Sequence, residues 1–572
     1  MDATISSLTI NSTSGLSGNK TLTVTGTTSI ENGNLTVSNG VALVSNGTIS
    51  LAADFGNTAT LNIGEFGGSS TAGIVSAAEI RGGNGTAILN FNQSNNITFT
   101  PKITGSTAVN QLGNATTTLT GNNTYTGGTT ISAGTLQIGA GGTTGSIVGN
   151  VALSGGRSSN LAFNRSDTYT FGGNITGSGS VLQNGNGKTV LTGTSNYSGG
   201  TAVNAGTLEV SGTGNVTGGT LFIRNATYNL TNNGTASHNG IWLSDAAGQT
   251  AALNVTSGGN LTSASPIFIG HTGTGIMNVS GSGSKFTGSS TTFLGGPDLG
   301  GNGTLNVTDN ATYSTSSNLF VGNNGQGLLN ITSGGRVTSG IISVGTSGGS
   351  SGTITLNAGT LNGSQLNLGQ NGSGNLTALN GSTVNATSSS TFIGNSAAGT
   401  ALFDASNFNA GQLFVGNSAT GSLTMRNGSV LTTNPGNAFI AAGGPAASVT
   451  ISGNGSTWLH TGVVFIGNNG QGTLSVLDGG VVTSAGGNAF VGAGAGSTGV
   501  LLVDGAGSSY TISGTDDFSV GGRNSTVTVS NGGFLETKGR AFIAAGFGTS
   551  ANATVTGTGS RWRSLDYFSV GQ

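Results

Sequence analysis

The chain of 572 residues has no cysteine and only five prolines, and just 6% of its residues are charged. Without cysteine there are no disulfides and no thiolate metal sites, and such a chain can cross an oxidising compartment unfolded. The prolines are too few for collagen, and the 109 glycines lack its three-residue period. Scarce charge argues against an ordinary globular enzyme and equally against a charged disordered tail. A net charge of −2 with no basic stripe gives no electrostatic case for nucleic acid or an anionic membrane. No apolar run approaches the ~18 residues that span a bilayer as a helix, so direct membrane insertion of this segment is not expected. No charged-then-apolar leader follows Met1, which is therefore expected to begin an excised or mature segment.

What the chain does have is a recurring phrase, clearest as LFVGNNGQGLLNITSGGRVTS (319–339) and FIGNNGQGTLSVLDGGVVTS (465–484). The residue closing its first apolar run is Gly270, Gly295, Gly322, Gly345, Gly369, Gly394, Gly416, Ala441, Gly467, Gly492, Gly521, Ala544 and Gly571. These steps average about 25 residues, the size of one coil of a β-helix. A copy this short and glycine-rich cannot bury a core alone and must stack on its neighbours. Each copy holds three strand-like runs separated by Gly, Asn and Ser, which predicts a three-sided coil. In TLNV (304–307) and TLSV (473–476) every second side chain is apolar, the pattern of a strand with one buried face. Glycine and asparagine suit the corners because they tolerate positive φ. The regular Leu, Val, Ile and Phe spacing argues against a flexible low-complexity segment.

Three zones are expected along one continuous solenoid. Residues 1–115 carry short alternating strands such as TLTVTG (21–26) without a strict period, and read as irregular coils. Residues 116–240 contain TLTGNNTYTGGTTISAGTLQIG (118–139) and VLTGTSNYSGGTAVNAGTLEVSG (190–212). Tyr125 and Tyr197 hold the same place in these copies, as do Leu136 and Leu208, and whole coils are expected to fit between them. The two segments resemble the autotransporter-associated β-strand repeat of secreted passenger domains. Residues 241–572 carry the recurring phrase and a second element, VSGSGSKF (279–286), ISGNGSTW (451–458), VDGAGSSY (503–510) and VTGTGSRW (555–562). Trp458, Tyr510 and Trp562 recur at equal intervals, two coils at a time. This zone resembles the repeat associated with type V secretion and PEP-CTERM proteins. The resemblances imply an all-β, right-handed parallel β-helix, a handedness also favoured by the general preference for right-handed crossovers. They imply secretion and display at the bacterial cell surface or outer membrane, and they carry no catalytic residues. The chain stops at Gln572 partway into a copy and no translocator barrel follows, so a fragment of a longer protein is expected.

The residues offer little chemistry. Asp516 and Asp517, with Arg523 and Glu536 near in sequence, are the best pair for acid/base work on a polysaccharide, but adjacent strand residues point to opposite faces and a solvated corner is the plainer reading. His238, His271 and His460 lie in no ligand spacing, so neither a metal site nor a triad is expected, and no cofactor is called for. No catalytic residue is assigned.

A surface candidate is the column Phe268, Phe293, Phe320, Phe392, Phe414, Phe439, Phe465, Phe490 and Phe542, one per coil, with Ser343 and Asn367 replacing Phe in two coils. By alternation the apolar flanks and the Phe cannot all face inward. Either the flanks are buried and the column is an outward aromatic stripe, or the Phe rings form the core and the flanks its rim. Trp562 joins the candidates because the stretch 501–572 is unusually rich in Asp, Glu, Lys and Arg for this chain. The alternative there is a more strongly packed segment that folds first. The leading expectation is a non-enzymatic rod for adhesion, self-association or biofilm, with another copy of itself or a host or cell-surface glycan or protein as partner. A β-helical polysaccharide enzyme and an inert spacer are the alternatives.

Overall fold

The computed structural model describes residues 2–297, 300–513, 515–544 and 550–571. Among the described residues, apart from one short 3-10 turn at Gly156–Ser158, the regular structure is entirely β, and the strands pair in parallel into a β-solenoid of about 23 turns. Two compact units are distinguished: Met1–Trp242 with Thr250–Ala264, and Leu243–Gln249 with Ser265–Gln572.

In the second unit most coils have three strands, as expected, while in two of them the second and third sides run together as Thr383–Ile393 and Asn407–Val415. Asn302–Thr308, Thr312–Thr315 and Leu319–Val321 form one coil, and Gln326–Thr332, Arg336–Thr338 and Ile341–Val344 form the next. Register is in step across coils: Leu305 pairs with Leu329, Tyr313 with Val337 and Leu319 with Ile342. Alternation sends every second side chain inward, so Leu305, Val307, Tyr313, Leu319 and Val321 are all essentially inaccessible to solvent. Burying each such aliphatic side chain contributes about 1.5–3 kcal/mol, spread evenly along the stack. On the outside, amides line up in ladders: Asn330 donates to Asn306 at 2.8 Å and Asn306 to Asn278 at 2.7 Å. Such ladders satisfy polar side chains coil by coil.

The corner closing the Phe strand has the positive φ that its glycines predict. Gly270, Gly322 and Gly416 each have φ 72°, while Ala441 and Ala544 adopt φ 58° and 57°. One coil departs from this, since the left-handed residue is Gly522 at φ 69° rather than Gly521. The even spacing of Trp458, Tyr510 and Trp562 also acquires a cause. Leu431, Trp458, Val482, Tyr510, Leu535 and Trp562 are register partners in one inward column, so large rings alternate with aliphatic side chains and the layers interdigitate.

The first unit mixes coil lengths, and part of it winds more tightly. Val181 pairs with Thr201 and Thr201 with Leu221, so these coils are several residues shorter than those of the second unit. This corrects the expectation that whole coils separate the two Tyr-containing copies. Thr129 pairs with Val151 and Val151 with Ile175, whereas its sequence equivalent Thr201 belongs to the neighbouring ladder through Val181. Likewise Leu136 pairs with Leu161, but its equivalent Leu208 pairs with Thr189 and Tyr228 in a third ladder. Coils of mixed length do not divide the interval between the copies evenly, so the second copy is rotated by one face. Both copies keep the same internal contact: the Tyr125 hydroxyl meets Thr129 Oγ1 at 2.7 Å, and Tyr197 meets Thr201 Oγ1 at 2.7 Å. Burial pushes both phenols up, Tyr197 to about 12, so they stay neutral hydrogen-bonding groups.

Candidate interaction surface

The Phe strand has only three residues in most coils, so one side chain per coil points away from the core. In Ile267–Ile269, Leu319–Val321, Ala438–Ile440, Val464–Ile466 and Ala489–Val491 the two flanks are buried and the central Phe is half-buried. The nine Phe side chains singled out from sequence all have this outward placement. Register brings them into one column: Phe268 pairs with Phe293, Phe293 with Phe320, Phe392 with Phe414, Phe414 with Phe439, Phe439 with Phe465 and Phe465 with Phe490.

The rings stack. From Phe392 to Phe490 successive centroids lie 4.8–5.3 Å apart with planes within 12° of parallel. Phe268 and Phe293 lie 5.2 Å apart at 13°, and Phe320 extends that run. The breaks fall where Ser343 and Asn367 were read, and at Ser519, which was missed and separates Phe490 from Phe542. Within each run, neighbouring rings cover one another's faces and leave ring edges toward solvent. Aromatic stacking on a sugar needs a free face, which the ladder offers only where a run ends.

In the first unit, by itself, sequence reading missed a second outward aromatic pair. Phe222 and Trp242 take the same outward place in Leu221–Ile223 and Ile241–Leu243, and their rings are 5.9 Å apart. They were legible as LFI and IWL, apolar triplets with a central ring, but they precede the zone where the recurring phrase is clear. A cation borders an outward ring in each unit: the Arg224 guanidinium lies 4.9 Å from the centre of Phe222, and that of Arg540 lies 5.5 Å from Phe542.

Trp562 lies elsewhere. It sits in the inward column beneath Leu535 and meets Phe518 and Phe568 edge-on at 5.5 and 5.3 Å, so it is a packing residue apart from the Phe column. Asp517 is held by Arg540 through a two-pronged contact at 2.9 and 2.7 Å. Glu536 faces Arg563 at 3.5 Å, so Asp517 and Glu536 are each engaged with an arginine. Because the Asp517 pair lies at the surface, Asp517→Asn should change the stability by less than about 1 kcal/mol, read as an unchanged denaturation midpoint. Among the described residues no group of three His, Cys, Asp or Glu side chains is placed to hold a metal. His238 and His460 are buried in different units, and His271 packs edge-on against Phe268 at 5.3 Å.

The passenger-associated-transport-repeat family matches residues 109–138 and 181–210, which contain the two Tyr–Thr contacts. Over 76 residues the chain is 49% identical to a protein of Brucella suis biovar 1 (strain 1330) described as the adhesin BmaC autotransporter. That match covers 13% of this chain and 2% of the relative's length. No solved structure matches. The repeats and the relative together support an autotransporter passenger with repeats.

Proposed function

We propose that this autotransporter passenger segment works at the bacterial surface as a non-enzymatic adhesin, and that its outward Phe ladder is a contact face through which copies associate. The observation that carries the reading is the ladder itself, an ordered aromatic stripe on a chain with little charge to hold partners by other means. A second copy has the same coil repeat of about 4.8 Å, so two ladders remain in step over any length of contact. Eleven register steps separate Phe268 from Phe542 in the second unit, roughly 50 Å of stripe. At a width of about 15 Å this offers close to the ~800 Å² per partner of a stable interface. Covered ring faces favour a protein partner over a glycan, and the adhesin description of the relative agrees with a binding role.

Sedimentation velocity over a concentration series tests this. The wild-type chain should associate, and Phe414→Asn with Phe439→Asn should weaken association at least about tenfold, the equivalent of ~1.4 kcal/mol. Asparagine is the appropriate replacement because Asn367 already occupies the column. A wild-type chain that stays monomeric throughout, or a double variant that associates as before, would refute the reading.

A further inference from the structure

In the first unit, four large apolar side chains are exposed, and three of them lie within one coil: Phe55 at 92%, Phe66 at 93% and Ile74 at 60%. Phe55 and Phe66 occupy the turns at the two ends of the strand Thr58–Ile63, and Ile74 begins the strand that follows, Ile74–Ser76. Isolated exposed apolar residues are ordinary. These differ because the two Phe share a local sequence, Asp54-Phe55-Gly56 and Glu65-Phe66-Gly67. Gly56 and Gly67 have φ 86° and 99°, with no heavy atom within 4 Å of where a Cβ would stand, so both turns project into open solvent. Unlike the ladder rings, neither Phe stacks on a neighbour or contributes to the core.

Glu65 beside Phe66 and Glu31 near the Phe55 turn are fixed. Glu65 accepts from Ser38 Oγ and Asn39 Nδ2, both at 3.0 Å, and its own N–H donates to the Ser70 hydroxyl. Glu31 accepts from the Ala53 N–H at 3.1 Å, at the root of the Phe55 turn. Carboxylates therefore stand at the base of both tips. Over residues 1–81, Asp2, Glu31, Asp54, Glu65 and Glu79 outnumber Lys20 and Arg81, so this stretch is locally negative although the whole chain is nearly neutral.

We propose that this coil is a docking site for a second protein, in which Phe55, Phe66 and Ile74 enter apolar sockets on a surface rich in lysine and arginine. Charge complementarity selects that partner: Asp54, Glu31 and Glu65 near the rings attract cations and repel anionic lipid headgroups. The site is independent of the Phe ladder, whose runs are built from stacked rings rather than from single rings beside carboxylates.

The probe is an immobilised amphipathic helix of leucine and lysine, with a leucine and glutamate helix and phosphatidylcholine vesicles, with and without phosphatidylserine, as the competing surfaces. The full chain should bind the lysine helix and lose most of that binding at about 0.5 M salt. Phe55→Ser with Phe66→Ser should weaken it at least about tenfold, and Asp54→Asn should reduce it further. These side chains support no packing, so the variants should melt as the parent does. Failure to bind the lysine helix, equal binding by the double Phe variant, or preference for vesicles or the glutamate helix would each overturn the proposal. Because the ladder variants leave these tips intact, Phe414→Asn with Phe439→Asn should bind the lysine helix as the parent does.

Discussion

Replacing Gly327 by valine should destabilise the second unit by at least about 3 kcal/mol and remove amide protection from the coils on either side. Gly327 is the second residue of Gln326–Thr332, where the chain has just turned from the Phe strand and the side-chain direction is inward. A Cβ there would stand 2.7 Å from the Val321 carbonyl carbon and closer still to the Gly322 nitrogen, both backbone atoms that no rotamer change can move. The constraint repeats in register through Gly275, Gly303, Gly327, Gly352, Gly374, Gly399 and Gly421, so one glycine per coil lets the chain fold back against the corner that closes the Phe strand. Gly348→Ala is the contrasting change. That glycine has no heavy atom within 4 Å of a built Cβ and no positive φ, so alanine should be neutral or stabilise by about 0.5 kcal/mol through the unfolded chain. Hydrogen exchange and denaturant midpoints of the two variants distinguish an indispensable glycine from a merely tolerated one. Similar midpoints would refute the steric account. Because each coil touches only its neighbours, the damage should stay centred on Gly327.

That contrast also marks what the sequence made legible. Alternation in TLNV and the recurring closing glycine were sufficient for the fold class, since period 2 and positive φ are local properties written into each copy. The outward Phe column was legible as a choice between two arrangements, and the structure resolves it because Ile267 and Ile269 are both buried beside Phe268. What sequence could not give was the phase of the first unit. Tyr125 and Tyr197 look equivalent, yet their strands occupy different faces because shorter and longer coils are mixed between them. Coil length is set by turns whose insertions leave no apolar signature. For the same reason the turns carrying Phe55 and Phe66 were invisible as a site: nothing periodic marks them, and their exposure is a property of loop geometry. Trp562 illustrates the opposite error, an aromatic surrounded by charge in sequence that points into the stack.

Acid should loosen both units as the pH falls below the ordinary range of histidine. His238 and His460 lie at inward positions, one in each unit, and make matching contacts. The His238 Nδ1–H donates to the Gly219 carbonyl at 3.2 Å and its Nε2 accepts from the Tyr228 hydroxyl at 3.4 Å. At His460 the partners are the Gly462 carbonyl at 3.2 Å and the Tyr510 hydroxyl at 3.4 Å. Around them stand Tyr197, Tyr228, Trp458 and Tyr510, and among the described residues no carboxylate forms an ion pair with either ring. Burial pushes each imidazole down to about 4, because a second proton would leave an uncompensated charge in the core. In the unfolded chain each histidine titrates near its ordinary value of about 6.5. Above that pH both states are neutral and nothing is lost. Between roughly 6.5 and 4 the unfolded chain takes up protons that the folded core refuses, so stability falls as pH falls, by up to about 3 kcal/mol per histidine, and levels off below. Denaturation midpoints at pH 7.5 and 4.5 should therefore differ markedly, and His460→Gln should flatten the dependence for the second unit while leaving that of the first unchanged. A parent chain equally stable at both pH values would show that these rings are not held neutral by the fold. If instead the variant retained the full dependence, a group other than His460 would have to carry it, and Asp167 and Asp404 are not that group. Their carboxyls are held below the ordinary range, chiefly by hydrogen bonds from Arg165 and Asn427 respectively, so their contribution is lost only at still lower pH.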